Sequence, residues 1–115
     1  KTFGARVTLS AHANGSCDRP QAIKIARIME QYKLGFLEEP VPFDHYEETR
    51  RVAEAVKIPI AGGECDSSLR MFQWMIENKT VQIAQPDTFY FGGMIRKIRV
   101  ARMAEAAGIE CTPHM

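Results

Sequence analysis

Five short apolar runs, each followed by an ionisable residue at nearly constant spacing, constrain this chain more than any other feature. The runs are Arg6–Ser10, Leu34–Leu37, Pro59–Ala61, Val81–Ala84 and Ile109–Thr112, and the residues that follow are His12, Glu38, Glu64, Asp87 and His114. Positions 12, 38, 64, 87 and 114 lie 26, 26, 23 and 27 residues apart. Each interval holds one strand, one helix and their turns. The runs carry few charges and are bounded by Gly, Pro, Asn or Asp. Near-continuous apolarity, rather than strict alternation, fits parallel strands covered on both faces.

The stretches between the runs read as helices. Asp18-Arg19-Pro20 is a start signal, followed by an apolar stripe of Ala22, Ile25, Ala26 and Met29. Asp44 opens a second helix whose Val52, Ala55 and Val56 face the sheet. A third carries Leu69, Phe72, Met75 and Ile76 behind Ser67 or Ser68 as cap. The fourth runs from about Met94 to Ala107 and stops at Gly108, with Arg96, Lys97, Arg99 and Arg102 mainly on its solvated side. Strands alternating with helices imply parallel pairing and right-handed crossovers. An open doubly wound sheet and a barrel both accept that order. A dinucleotide-binding sheet carries G-x-G-x-x-G after its first strand. Here that turn is His12-Ala13-Asn14-Gly15, and Gly62-Gly63 and Gly92-Gly93 lack the motif. That lowers the open-sheet reading without excluding it.

Composition narrows the function classes. Fifteen basic against 14 acidic residues leave a net charge of +1, which supplies no field for nucleic acid or an anionic membrane. No apolar run reaches the roughly 18–20 residues of a bilayer span, and no signal-peptide pattern opens the chain. Cys17, Cys65 and Cys111 are odd in number and far apart. That predicts neither a disulfide framework nor a zinc site, and a reducing cytoplasm as the location. Lys1 at one end and Thr112-Pro113-His114-Met115 at the other read as cuts through a longer protein.

In a parallel barrel the C-terminal strand ends converge on one face, where active sites are built. Five ionisable side chains at equivalent positions then point into one pocket. Gathered carboxylates repel by several kcal/mol unless a cation neutralises them. Glu38 and Glu64 suit a hard, oxygen-preferring ion such as Mg²⁺. Asp87 and His114 can form a carboxylate–imidazole dyad in which Asp fixes the tautomer and raises the basicity of His. Taken singly, each of these residues reads as an ordinary loop or surface group; their register gives them function. His45 reads as surface, Trp74 and the helical methionines as packing, and Phe89 and Tyr90 as candidate pocket lining.

These stretches resemble the catalytic barrel of the enolase superfamily, in the branch of mandelate racemase and the acid-sugar dehydratases. The matching segments are His12-Ala13-Asn14-Gly15, Phe36-Leu37-Glu38-Glu39-Pro40, Ile58 to Glu64, Gln85-Pro86-Asp87 with Gly92-Gly93, and Ala106 to Ile109 through Pro113-His114. Five motifs in order cover essentially the whole chain. The resemblance implies an α/β fold, part of a TIM-type (β/α) barrel at approximately strands 3–7. Residues 1–115 would then be a partial catalytic domain, with the capping domain and remaining strands elsewhere. It implies Mg²⁺ at positions 12, 38 and 64. It also implies His114 as general base with Asp87 behind it. Beside these, Asn14 reads as a group behind the ligands or against the substrate, or else as a turn former, and Glu39 as a charge behind the ligands or a structural partner rather than a ligand.

The implied reaction removes the α-proton of a hydroxy-acid or sugar-acid substrate and stabilises the enediolate; in dehydratases the protonated His then assists loss of the β-hydroxyl. Homo-oligomers are common in the family. A racemase or epimerase using the same intermediate, and a degenerate homologue without turnover, are the rival readings. One residue departs from the pattern. The family usually has Asp where this chain has His12, and imidazole suits zinc, iron or nickel better than Mg²⁺. His12 is read either as a metal ligand or as a substrate contact.

Overall fold

The computed structural model describes residues 7–115. Arg6, where the first expected strand begins, lies outside them. Helix α1 (Arg19–Gln31) starts where the sequence signal places it. Asp18 Oδ1 accepts from Gln21 N–H at 2.9 Å, and Gln21 Oε1 accepts from Asp18 N–H at 3.2 Å, closing a capping box. Its buried face is Ala22, Ala26 and Met29. Ile25 falls outside that stripe at 38% exposed, because it stands about 100° around the helix from Ala26.

Helix α2 (Tyr46–Ala55) follows His45 rather than Asp44, and no side chain caps it. Glu47 and Glu48 in its first turn place negative charge on the helix N-terminus instead. It buries Thr49 and Val52, whereas Ala55 is exposed and Val56 packs from just past the helix end. Helix α3 (Leu69–Glu77) follows Ser68 without a hydroxyl cap and buries Phe72, Met75 and Ile76. Helix α4 (Met94–Ala106) ends before Gly108, whose φ of +69° makes it the left-handed stop expected there. Its buried stripe is Lys97, Val100 and Ala104. Lys97 therefore does not belong to the solvated side.

Strands β1 (Ala11–His12), β2 (Leu37–Glu38), β3 (Ile60–Gly62), β4 (Ile83–Ala84) and β5 (Glu110–Cys111) form one parallel sheet. Four of them fall within or beside the apolar runs. The first is displaced: Val7–Ser10 is exposed and unpaired as strand, although Leu9 O accepts from Gly35 N–H at 2.7 Å. The runs mark burial, and ladder pairing occupies only the part that meets a neighbour.

Spatial order is β1-β2-β3-β4-β5, the same as sequence order. A doubly wound sheet reverses direction at a switch point. Right-handed crossovers that always advance one strand lay every helix on one side, which is how a (β/α) barrel winds. The fold is α/β and part of a TIM-type barrel.

Between sheet and helices lies a core of Leu37, Val52, Ile60, Phe72, Val81, Phe91 and Val100. Phe72 and Phe91 meet edge to face, with centroids 5.0 Å apart at 78°. Gly63 sits directly over Phe72 with φ +111°, and a Cβ there would come within 2.7 Å of the ring. That glycine lets the chain turn out of β3 towards the strand ends. No helix of the described residues is long and apolar enough to cross a membrane.

Candidate active site at the strand ends

The ionisable residues converge, but not at one level. His12 and Glu38 close neighbouring strands and are paired directly. Asp87 and His114 form an isolated parallel bridge beyond β4 and β5. Glu64 lies between the two pairs, just past the end of β3. Equal sequence spacing therefore gives convergence without equal register.

His12 is surrounded by carboxylates. Its Nδ1 lies 3.8 Å from Glu38 Oε1, and its Nε2 lies 3.5 Å from Glu39 Oε2 and 4.0 Å from Glu64 Oε1. Successive strand residues normally point to opposite faces. Glu39 escapes that rule because its φ is +41°, a left-handed conformation that costs a non-glycine residue roughly 1–2 kcal/mol. Its N–H donates to Ala61 O at 3.0 Å, and its carbonyl accepts from Gly15 N–H at 2.8 Å. These bonds hold the kink that turns both glutamates towards His12. Burial, and then the charge of Glu64, push the Glu39 carboxyl above its usual range, with His12 opposing. Asn14 is exposed with φ +48° in the turn after β1, ahead of Gly15 at φ +68°.

The loop carrying Glu64 is tied to α2. Tyr46 Oη donates to Asp66 Oδ1 at 2.5 Å, and burial raises the pKa of both groups. Nothing in the spacing of the sequence marks this brace. At the far side, Asp87 is 2% exposed and its two oxygens have separate partners. Oδ1 accepts from Phe89 N–H at 2.6 Å and Tyr90 N–H at 2.8 Å, while Oδ2 lies 2.9 Å from His114 Nδ1. The Tyr90 amide first, then His114, hold the Asp87 carboxyl below its ordinary range. The Asp87 bond in turn raises His114 above 6.5, against a smaller opposing effect of burial. With an ionised carboxylate on Nδ1, that nitrogen carries the proton and Nε2 is the free basic site. It lies 3.4 Å from Glu64 Oε2. Phe89 and Tyr90 serve the site through their backbone; their rings are 83% and 71% exposed.

Glu39 Oε1 is buried without a hydrogen-bond partner, and Glu64 Oε2, also buried, has no hydrogen bond and only the 3.4 Å contact with His114 Nε2. Buried, unpartnered carboxylate oxygens are costly unless something positive reaches them. Among the described residues His12, Glu39 and Glu64 can each offer one ligand atom, all within 4.8 Å of one another. The donor set fits a divalent cation.

A parallel barrel sector with clustered carboxylates and an Asp–His dyad at its strand ends defines the class. The sequence matches the Enolase C-terminal domain-like family over residues 1–115, and the chain belongs to that family. D-galactonate dehydratase of Ralstonia nicotianae is 34% identical over 112 residues, 97% of this chain and 29% of that protein. A candidate racemase from Roseobacter denitrificans superposes with a TM-score of 0.93 at 38% identity, covering 97% of this chain and 31% of that one. L-talarate dehydratase of a Polaromonas species, solved with Mg and L-glucarate, gives a TM-score of 0.91 at 32% identity over 97% and 31%. The chain thus spans less than a third of the length of the relatives it matches.

Proposed function

We propose that the protein bearing this chain is a metal-dependent lyase that removes water from a hydroxylated sugar carboxylate. The observation that carries this reading is the Asp87–His114 dyad, with its free Nε2 beside the carboxylate cluster. Similarity to dehydratases of sugar acids supports the substrate class. Glu38, Glu64 and His12 would hold the ion, and Glu39, buried 3.5 Å from His12, stands close enough to join them. A divalent cation there supplies positive charge to the substrate carboxylate. Mg²⁺ matches the oxygen donors, and His12 opens the set to softer ions.

His114 Nε2 takes the α-proton, and the electron pair from the broken C–H bond moves into the substrate carboxylate. Asp87 holds Nδ1–H, so the imidazolium forms next to an anion already in place. The same imidazolium then returns its proton to the β-hydroxyl. That group leaves as water while the pair folds back into a C=C bond, and the resulting enol tautomerises to a 2-keto acid.

The test is a library of acid sugars with Mg²⁺, Mn²⁺ or Zn²⁺, read by 2-keto acid formation, alongside calorimetric titration of each metal into wild type and His12→Asp. The reading predicts metal-dependent water loss from at least one sugar acid, with His12→Asp shifting preference towards Mg²⁺. No turnover across the library would sink it, and unchanged metal affinity and selectivity in His12→Asp would remove His12 from the ligands.

A further inference from the structure

We infer that Lys97 is a positioning residue for His114, clamping the peptide from which the imidazole projects; the inference rests on the reading of His114 as the base. Lys97 occupies the core-facing stripe of α4 in line with Val100 and Ala104, and is only 4% exposed. Among the described residues it forms no ion pair. Burying an ammonium is expensive unless its donors are taken up. Its Nζ donates to Thr88 Oγ1 at 2.5 Å and to the carbonyl oxygen of His114 at 3.0 Å. That carbonyl also accepts from Thr88 N–H at 3.2 Å, and the Thr88 hydroxyl lies 3.4 Å from it.

Several donors thus converge on one carbonyl, while the N–H of the same residue donates to Pro86 O at 3.2 Å. The ring itself has much less support. It is about half exposed, its one hydrogen bond runs from Nδ1 to Asp87, and Nε2 has only a longer 3.4 Å contact with Glu64 Oε2. The position of Nε2 is therefore set largely by the peptide behind it, and Lys97 and Thr88 hold that peptide. An aliphatic side chain would fill the same core position without the desolvation cost, so core stability does not explain the ammonium.

The test uses Lys97→Met, which keeps the stem and removes the charge. The clamp predicts a Tm equal to or above wild type and unchanged metal affinity. It also predicts faster hydrogen exchange at the His114 amide and a second environment for the His114 ring protons by NMR. Where a sugar acid turns over, kcat falls by about 10²-fold with KM little changed, the size expected for a displaced catalytic group. Thr88→Val moves the same readouts less, and Thr88→Ser restores them. A folded Lys97→Met protein with wild-type exchange and ring signals at His114 overturns the proposal. Should Lys97→Met fail to fold, indistinguishable His114 signals in Thr88→Val and Thr88→Ser overturn it equally. Absence of turnover in wild type would count against the lyase reading alone, because the NMR readouts need no substrate.

Discussion

At Asp87 two oxygens divide the work, Oδ1 taking the amides of Phe89 and Tyr90 and Oδ2 taking His114. The shifts on the two partners run in opposite directions. A lowered Asp87 contributes stability above its unfolded pKa, lost as pH falls through the folded value; a raised His114 contributes below 6.5, lost as pH rises through its folded value. The ion pair therefore exists between those two limits. We expect the His114 ring protons of metal-free protein to titrate with a midpoint above 6.5, and Asp87→Asn to bring that midpoint down while keeping the Oδ1 bonds. A midpoint unmoved by Asp87→Asn would show that the dyad does not set the basicity. His12, Glu38, Glu64, Asp87 and His114 were legible because residue type and spacing together mark a strand end. Glu39 reads from sequence as a charge behind the ligands; its closeness to His12 was not legible, because strand alternation carries no sign of the positive φ that turns it in. Lys97 carried a usable signal, its place in the Val100–Ala104 stripe, which its charge obscured.

Among the elements, the helix starts show what a sequence can and cannot encode. Asp18 and Gln21 are spaced to satisfy each other's backbone amides, so α1 could be placed from its first residues. At α2 a plausible cap at Asp44 went unused, because the chain begins the helix one residue later and relies on Glu47 and Glu48. Asp18→Ala should cost about 1 kcal/mol in chemical denaturation, the usual worth of an N-cap. An unchanged midpoint would mean that packing of Ala22, Ala26 and Met29 alone fixes the helix start. The strands were legible as burial but not as pairing, which is why β1 begins five residues after its apolar run does.

For the molecule as a whole, the strand order carries the functional account. A sheet wound in one direction gathers all its C-terminal ends at one mouth, so side chains up to 102 positions apart in sequence, His12 and His114, both lie against Glu64. The alternation of runs made a parallel sheet readable and the missing dinucleotide motif weighed against the open sheet, but only the strand order β1-β2-β3-β4-β5 decides for the barrel. The stagger between the His12–Glu38 and Asp87–His114 levels was not readable, because shear is a property of the closed sheet rather than of any interval. The central claim is that His114 removes the α-proton of a carboxylate substrate. Its most direct test is loss of the α-deuterium of a 2-deuterated sugar acid to solvent, followed by NMR with the protein bearing this chain and saturating divalent metal. Wild type should release that deuterium, and His114→Asn should lose the release by at least about 10²-fold at unchanged metal affinity. Release at the wild-type rate in folded, metal-bound His114→Asn would contradict the account.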